Sequence, residues 1–401
     1  MDMLEQLEGR LGPFDEPRAR SALLCLLQDA MALRREVLLH GSARAALAEM
    51  DMAALTRGRE AGGGRPEAGG SGPFADGGAA DLDGAIRLVQ QEFRLQERHG
   101  VSLLVPGGPG WPASLDTCVE PPVLLYVRGE TAVLQCPAAL ALVGSRHGVA
   151  YGCRVAGGLA AGWARLGGVV VSGGAIGVDT AAHEGCLAAG GGTIAVMGTG
   201  LAELYPRRNL PLFSAISASG IVASELPMRS RALPFNFPRR NRIIAALARA
   251  VVVVQARRDS GALHTARFAL KCGRLLFTVP APVDDESCLG GLELLLQGVP
   301  AMVGAAQLPG LFAGMTGGRP EEPRLPLESP TRRVVRLSGL PQDERELLEL
   351  LSQDACHVDD LAGAVGRGGR ELAVRLLSLE LRGWIEKAPG NRYVSTVRLE
   401  R

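Results

Sequence analysis

One pattern in the middle of the chain narrows the fold more than any other. Short, uninterrupted apolar runs alternate with stretches of helical spacing. The apolar runs at 140–143, 169–171, 193–197, 221–223, 251–254 and 275–279 read as strands. Between them, helical patterns cover 151–166, 180–189, 211–218, 242–249 and 265–272. A strand that is apolar at every position needs cover on both faces, and strand–helix alternation supplies it through parallel crossovers. The expected class is α/β, with a parallel sheet and helices on both faces.

Two stretches interrupt the pattern. In residues 60–78, ten of nineteen are Gly or Pro, and in 309–330 nine of twenty-two are. Such composition buries too little apolar surface to offset the entropy of ordering it. The expected division is an N-terminal helical region (1–59), a Gly-rich linker (60–82), the α/β domain (83–308), a Pro/Gly-rich linker (309–337) and a C-terminal domain (338–401). Leu23, Leu24, Leu27 and Met31 give the N-terminal region its helical spacing, and a second helix is expected at 43–50. The C-terminal piece reads as three helices (341–351, 358–365, 369–382) and a hairpin around Pro389-Gly390-Asn391, which makes a winged helix. It holds 9 Arg/Lys against 11 Asp/Glu. Phosphate neutralisation drives most DNA affinity, so a protein contact or a weak auxiliary role is expected of it.

Lys+Arg is 43 and Asp+Glu is 42, so a uniformly basic coat is excluded and a local patch is not. Eight scattered cysteines without a C-x-x-C pair point to reduced thiols. The first ten residues are polar and acidic, and no run of 18 apolar residues occurs. A cytoplasmic protein without a membrane span is expected.

In a parallel sheet, ligands bind beyond the carboxyl ends of the strands. Four of those ends carry polar, glycine-rich segments: Gly144-Ser145-Arg146, then Ser172-Gly173-Gly174 running to Asp179 and Thr180, then Gly198-Thr199-Gly200 followed by Tyr205-Pro206, and finally Asp259-Ser260-Gly261 with Thr265. Glycine lets backbone N–H groups approach a ligand, and helix N-termini favour anions. An anion-binding rim is expected; the bland reading is a set of tight turns. Gly144, Gly148 and Gly152 do not spell G-x-G-x-x-G, no acidic residue ends the second strand, and no Walker A sequence occurs. Nicotinamide and ATP are disfavoured, and no cofactor or metal is expected. His183, His264 and the few nearby carboxylates make no nucleophile–base set, so an enzyme is not expected.

The rim has a concentrated source of charge. Eight arginines and no acidic residue fall between positions 229 and 258. At the centre stand Phe235, Phe237, Arg239, Arg240, Asn241 and Arg242. Arginine binds phosphate through a planar fork of donors, and Phe235 or Phe237 offers a ring for a base to stack on. For Phe237 a place in the core is the equal alternative. Single-stranded nucleic acid is the expected ligand, with Arg146, Arg239, Arg240 and Arg242 as cationic donors. Backbone N–H groups of Gly144, Ser145, Ser172, Gly173 and Gly174 are expected at the phosphates. Asn241 is expected to orient the arginines or cap a helix, and Asp179 to cap a helix or brace its loop rather than contact DNA, since it would repel phosphate.

These residues carry a resemblance. Val143-Gly144-Ser145-Arg146, Ser172-Gly173-Gly174-Ala175-x-Gly177-x-Asp179, Gly198-Thr199-Gly200-Leu201 with Tyr205-Pro206, Phe237-Pro238-x-Arg240-Asn241-Arg242-Ile243-Ile244-Ala245 and Ser260-Gly261-Ala262-Leu263-x-Thr265-Ala266 resemble, in unbroken order, the DprA/Smf family of DNA-processing proteins. The resemblance spans about 106–303. It implies an extended Rossmann-like domain that binds single-stranded DNA, a winged-helix tail, a homodimer, and loading of the recombinase RecA during natural transformation. Ile176 stands where many relatives carry Arg, Ala281 where Gly is usual, and His264 where an apolar residue is usual. A second reading from another class is a nucleoside monophosphate phosphoribohydrolase. Pro106-Gly107-Gly108-Pro109-Gly110 imitates the start of that signature but lacks its Thr and its catalytic Glu.

Overall fold

The computed structural model of the chain describes residues 3–27, 36–37, 39–49, 82–146, 150–317, 334–336, 340–351, 356–365, 369–388 and 392–400. The first expected linker, 60–82, lies outside the described residues apart from Leu82. The helices α1 (Met3–Leu11), α2 (Glu16–Leu27), α3 (Ala43–Glu49) and α4 (Leu82–His99) precede a sheet. The strands β1 (Ser102–Leu104) and β2 (Leu125–Gly129) lead into it. Alternation follows: β3 (Ala139–Gly144), α5 (Ala150–Arg165), β4 (Val169–Ser172), α6 (Val178–Ala188), β5 (Thr193–Val196), α7 (Leu210–Ser219) and β6 (Ile221–Ser224). Then come α8 (Asn236–Leu247), β7 (Ala250–Gln255), α9 (Gly261–Lys271), β8 (Leu275–Thr278), α10 (Leu289–Leu296) and α11 (Leu308–Thr316).

The strand order is β1-β2-β6-β5-β4-β3-β7-β8. The six strands expected from the apolar runs are all present, and they pair in parallel. Two antiparallel strands, β1 and β2, extend the sheet past β6. Side chains alternate across it with period two. On one face, Val127, Val143, Val171, Val196, Ala223 and Val253 share a core with the apolar side of α8 and α9. On the other, Leu140, Leu142, Val170 and Val252 pack on α5 and α6 around Trp163. The rest of that face, with Tyr126, Ala195 and Val222, is covered by α7 and by the N-terminal helices. The N-terminal region is thus a layer on the sheet with a shared core, not a piece set apart.

The second linker reading needs correction at both ends. Residues 308–316 are helical, with Leu308 and Met315 buried and Phe312 edge-on to Trp163 at 5.4 Å. Burying an aliphatic side chain contributes about 1.5–3 kcal/mol, which outweighs the Gly/Pro content there. At the other end, β9 (Val334–Arg336) pairs with β13 (Arg398–Glu400).

α8 also differs. It starts at Asn236, six residues before the expected limit, because Pro238 lies in its first turn, where a missing N–H costs no hydrogen bond. Arg239 and Arg240, which lie before the expected helix, are therefore on it together with Arg242.

Residues 1–324 form one compact unit and 325–401 a second. The second holds α12 (Gln342–Leu351), β10 (Cys356–His357), α13 (Val358–Val365), α14 (Gly369–Leu381), β11 (Ile385–Ala388) and β12 (Arg392–Ser395) around Leu347, Leu348, Leu361, Leu372, Leu376 and Ile385. This is a winged helix with a β10-β12-β11 sheet. Two of its cations are paired: Arg375 reaches Asp343 at 2.9 Å, and Arg382 holds Glu344 through two nitrogens at 2.9 and 3.0 Å. On α14, Val374 and Leu377 are exposed instead. No described helix is long and apolar enough to cross a membrane.

Candidate nucleic-acid interface

The connection from β3 runs through β4 and β5 to β6 on one side, whereas β7 and β8 lie on the other. This reversal opens a crevice between the carboxyl ends of β3 and β7. The register slips by one residue between Val143 and Gly144 opposite β7, a bulge that bends the ladder at that end. A cleft of about 610 Å³ sits there. Gly144, Ser145 and Arg146 line one wall, Phe237, Arg240 and Asn241 the next, and Arg257 with the 259–265 turn the third.

Arg146 is exposed, and its guanidinium lies 5.1 Å from the Phe237 ring centroid. Phe237 is half-buried, and a Cβ on Gly198 would come within 2.8 Å of its ring. Tyr205, 48% exposed, meets the same ring edge-on at 6.0 Å. Cation, ring and ring thus form a row from the end of β3 toward the end of β5. Tyr205 is followed by Arg207 and Arg208, both exposed and without an ion pair among the described residues. Asn209 anchors this turn, donating from Nδ2 to Gly174 O at 3.0 Å and to Thr180 Oγ1 at 2.8 Å.

The glycine-rich loop after β4 is built differently from the expectation. Ser172 Oγ donates to Leu142 O at 2.6 Å, and Ser172, Gly173 and Gly174 are buried. The buried carboxylate of Asp179 takes the loop's donors, accepting from Ala175 N at 3.3 Å and from Gly173 N–H. Burial raises the Asp179 pKa, and the Arg240 charge opposes that rise. Of the three loop residues expected at phosphates, Gly173 gives its N–H to this internal anion instead, Ser172 spends its hydroxyl proton on Leu142 O, and Gly174 O accepts from Asn209. A loop that encloses a desolvated carboxylate spends its N–H groups on it. Of the two roles expected of Asp179, it takes the loop brace and not the helix cap, since Gly177 is the N-cap of α6. Gly173 is required by packing: a Cβ there would collide with Arg240 Nη2 and lie 2.7 Å from Asp179 Oδ2.

Arg240 is 5% exposed although it lines the cleft. Its Nη1 donates to Gly173 O at 2.7 Å and to Val196 O, and its Nε donates to Asn241 Oδ1 at 3.2 Å. Burial lowers its pKa to about 10, so it stays charged at neutral pH beneath Arg146. Asn241 Nδ2 donates to Gly261 O at 3.1 Å, tying α8 to the start of α9. Asn241 therefore accepts from Arg240 and braces a neighbouring turn.

Arg242 is the clearest departure. Its Nη2 lies 2.5 Å from Glu225 Oε2, with the two side chains 4% and 6% exposed, and it does not line the cleft. Arg239 lies 4.0 Å from the same carboxylate and is likewise outside the cleft lining. Further along the basic segment, Arg258 pairs with Glu293 at 2.5 Å and Arg257 with Asp259 at 3.6 Å. The acidic partners stand outside the span that holds eight arginines, at 225 and 259 beside it and at 293 further along the chain, so the count overstated the open charge.

Sequence reasoning left Tyr205, Arg207 and Arg208 out of the site, although Tyr205-Pro206 follows one of the four glycine-rich strand ends. It also left out Ser260, which caps α9 by accepting from Ala262 N, and His264, which lines the cleft.

A family model described as DNA recombination-mediator protein A matches residues 102–308. The chain belongs to the DprA/Smf family of DNA-processing proteins. A DprA winged helix domain model matches 325–391. Protein Smf of Escherichia coli is 36% identical over 290 residues, covering 70% of this chain and 74% of that protein. Protein Smf of Synechocystis is 32% identical over 329 residues, covering 75% and 82%. The X-ray structure of DprA from Streptococcus pneumoniae matches with a TM-score of 0.55 and 28% identity, over 71% of this chain and 95% of that one.

Proposed function

We propose that this DprA/Smf chain is a non-enzymatic single-stranded DNA-binding protein. The observation that carries the reading is the row Arg146–Phe237–Tyr205 beside the switch-point cleft. A duplex keeps its bases stacked inside, whereas a single strand can lay bases on exposed rings and its phosphates on neighbouring cations. Arg146 serves one phosphate, with N–H groups of Gly144 and Ser145 and the start of α9 beside it. Buried Arg240 adds a fixed positive charge under the strand. Phe237 and Tyr205 take bases, and Arg207 and Arg208 continue the backbone path. These contacts carry little base information, so sequence preference is slight.

Family membership supports the wider role: protection of incoming strands, loading of RecA during natural transformation, and action as a cytoplasmic homodimer. A band-shift series with a dT oligonucleotide and a duplex of equal length tests the binding reading. Preference for the single strand that weakens with salt is expected; equal affinity for the duplex refutes it. RecA filament formation on pre-bound oligonucleotide, with and without the protein, tests the loading step.

A further inference from the structure

We propose that Glu92 is a positioning residue for the interface: as a proton-sensitive clamp between the N-terminal layer and the 225–235 segment, it sets the placement of Tyr205 and Phe237. The inference rests on the reading above only for its last step, from placement to binding.

Glu92 lies on α4 and is 3% exposed. Both of its carboxylate oxygens accept from Met228 N, at 3.0 and 3.2 Å. Tyr126 on β2 and Gln96 on α4 also hydrogen-bond to it. Ser21 on α2 closes the network, 3.1 Å from the Tyr126 hydroxyl and accepting from Gln96 Nε2 at 2.7 Å. The other polar and ionisable groups nearby are Cys25 on α2 and Arg229, whose guanidinium donates to Gln91 Oε1 at 3.3 Å. No cation among the described residues pairs with Glu92. A carboxylate in this position is held by three elements at once and neutralised by none.

Met228 is the hub through which the clamp acts. Its carbonyl accepts from Ala202 N at 3.0 Å, and Gly200 N donates to Ser230 O at 2.9 Å. A Cβ on Gly200 would collide with the carbonyls of Pro227 and Met228, so the two turns are pressed together. One turn leads to Tyr205. The segment holding Met228 runs on into α8 and Phe237, with Asn236 N bonded to Leu233 O at 3.0 Å. Release of Met228 therefore loosens both rings of the row.

Burial raises the Glu92 pKa to about 7, against the hydrogen bonds from Met228, Tyr126 and Gln96. An opened clamp exposes the carboxyl to water and returns it toward 4.5, so ionisation favours opening. From these two values the opening equilibrium rises about tenfold between pH 6 and 8.5.

The experiment compares the full chain with Glu92→Gln, which keeps the shape and cannot ionise. Hydrogen exchange of a peptide covering 226–232 is measured at pH 6, 7 and 8.5, each rate divided by that of the variant to cancel intrinsic pH effects. The ratio is expected to grow about tenfold over the range. A ratio independent of pH overturns the clamp. Tyr126→Phe supplies a second variant: it removes a hydrogen bond that favours the ionised form, so the midpoint moves to higher pH, and an unmoved midpoint counts against the network. In parallel, dT-oligonucleotide affinity at fixed salt is expected to fall with pH in the wild type relative to Glu92→Gln. A pH-dependent exchange ratio with parallel binding curves overturns the positioning role. Absence of oligonucleotide binding at every pH refutes the proposed function and leaves the exchange result to decide the clamp.

Discussion

Replacing Glu225 with alanine strands Arg242 inside the protein. The guanidinium is 4% exposed, its Nη2 has Glu225 as its carboxylate partner at 2.5 Å, and its Nε and Nη1 make no hydrogen bond among the described residues. Removing one member of a buried pair leaves an uncompensated charge and costs about 3–5 kcal/mol. Arg239, 4.0 Å from the same carboxylate, loses attraction as well. A fall in the chemical-denaturation midpoint of the 1–324 unit, followed by Trp163 fluorescence, is the expected readout. The paired variant Glu225→Leu/Arg242→Met removes both charges and keeps the volume, so most of the stability returns. Because Arg242 serves the fold and not the ligand, the paired variant is expected to bind a dT oligonucleotide within about twofold of wild type, well inside the 1.4 kcal/mol that a tenfold change represents. An unchanged midpoint for Glu225→Ala refutes the buried-pair reasoning. A folded paired variant that has lost binding returns Arg242 to the interface.

Further outcomes follow from the same geometry. Gly173→Ala drives a methyl group into Arg240 and Asp179 and is expected to destabilise by about 1–3 kcal/mol in denaturant titration. Phe237→Ala is expected to weaken dT-oligonucleotide binding by about 1–3 kcal/mol in fluorescence anisotropy, the amount lost with one base-stacking ring. The folded-state pKa of Glu92 is raised, so its contribution to stability is complete below 4.5 and lost as pH climbs through about 7. Unfolding free energies of wild type and Glu92→Gln, from denaturant titrations, should therefore diverge by about 3 kcal/mol across that window, with the wild type losing ground as pH rises.

The sheet was legible because its six parallel strands are apolar at nearly every position, which only a doubly covered strand requires. β1 escaped notice because three residues carry no periodicity, and β2 because it lies in a Pro-rich lead-in. The start of α8 was hidden by Pro238, a residue that breaks helices in their interior but not in their first turn. For the interface, residue type pointed to the correct edge of the sheet. It could not say which arginines were already paired, since Glu225 and Glu293 approach Arg242 and Arg258 only through the fold. The loop at 172–174 showed the same limit. Its glycines suit a bound anion, and the anion that Gly173 N–H and the following Ala175 N hold is Asp179.

Whether the carboxyl edge is a phosphate-binding trough is tested most directly by the salt dependence of dT-oligonucleotide binding to wild type and Arg146→Glu. Three exposed cations, Arg146, Arg207 and Arg208, each neutralising one phosphate, give a log–log slope of about −2 for the wild type. Arg146→Glu is expected to bind at least about tenfold more weakly with a shallower slope and an unchanged denaturation midpoint, because Arg146 is exposed. A flat salt response, or full affinity in the folded Arg146→Glu variant, would contradict it.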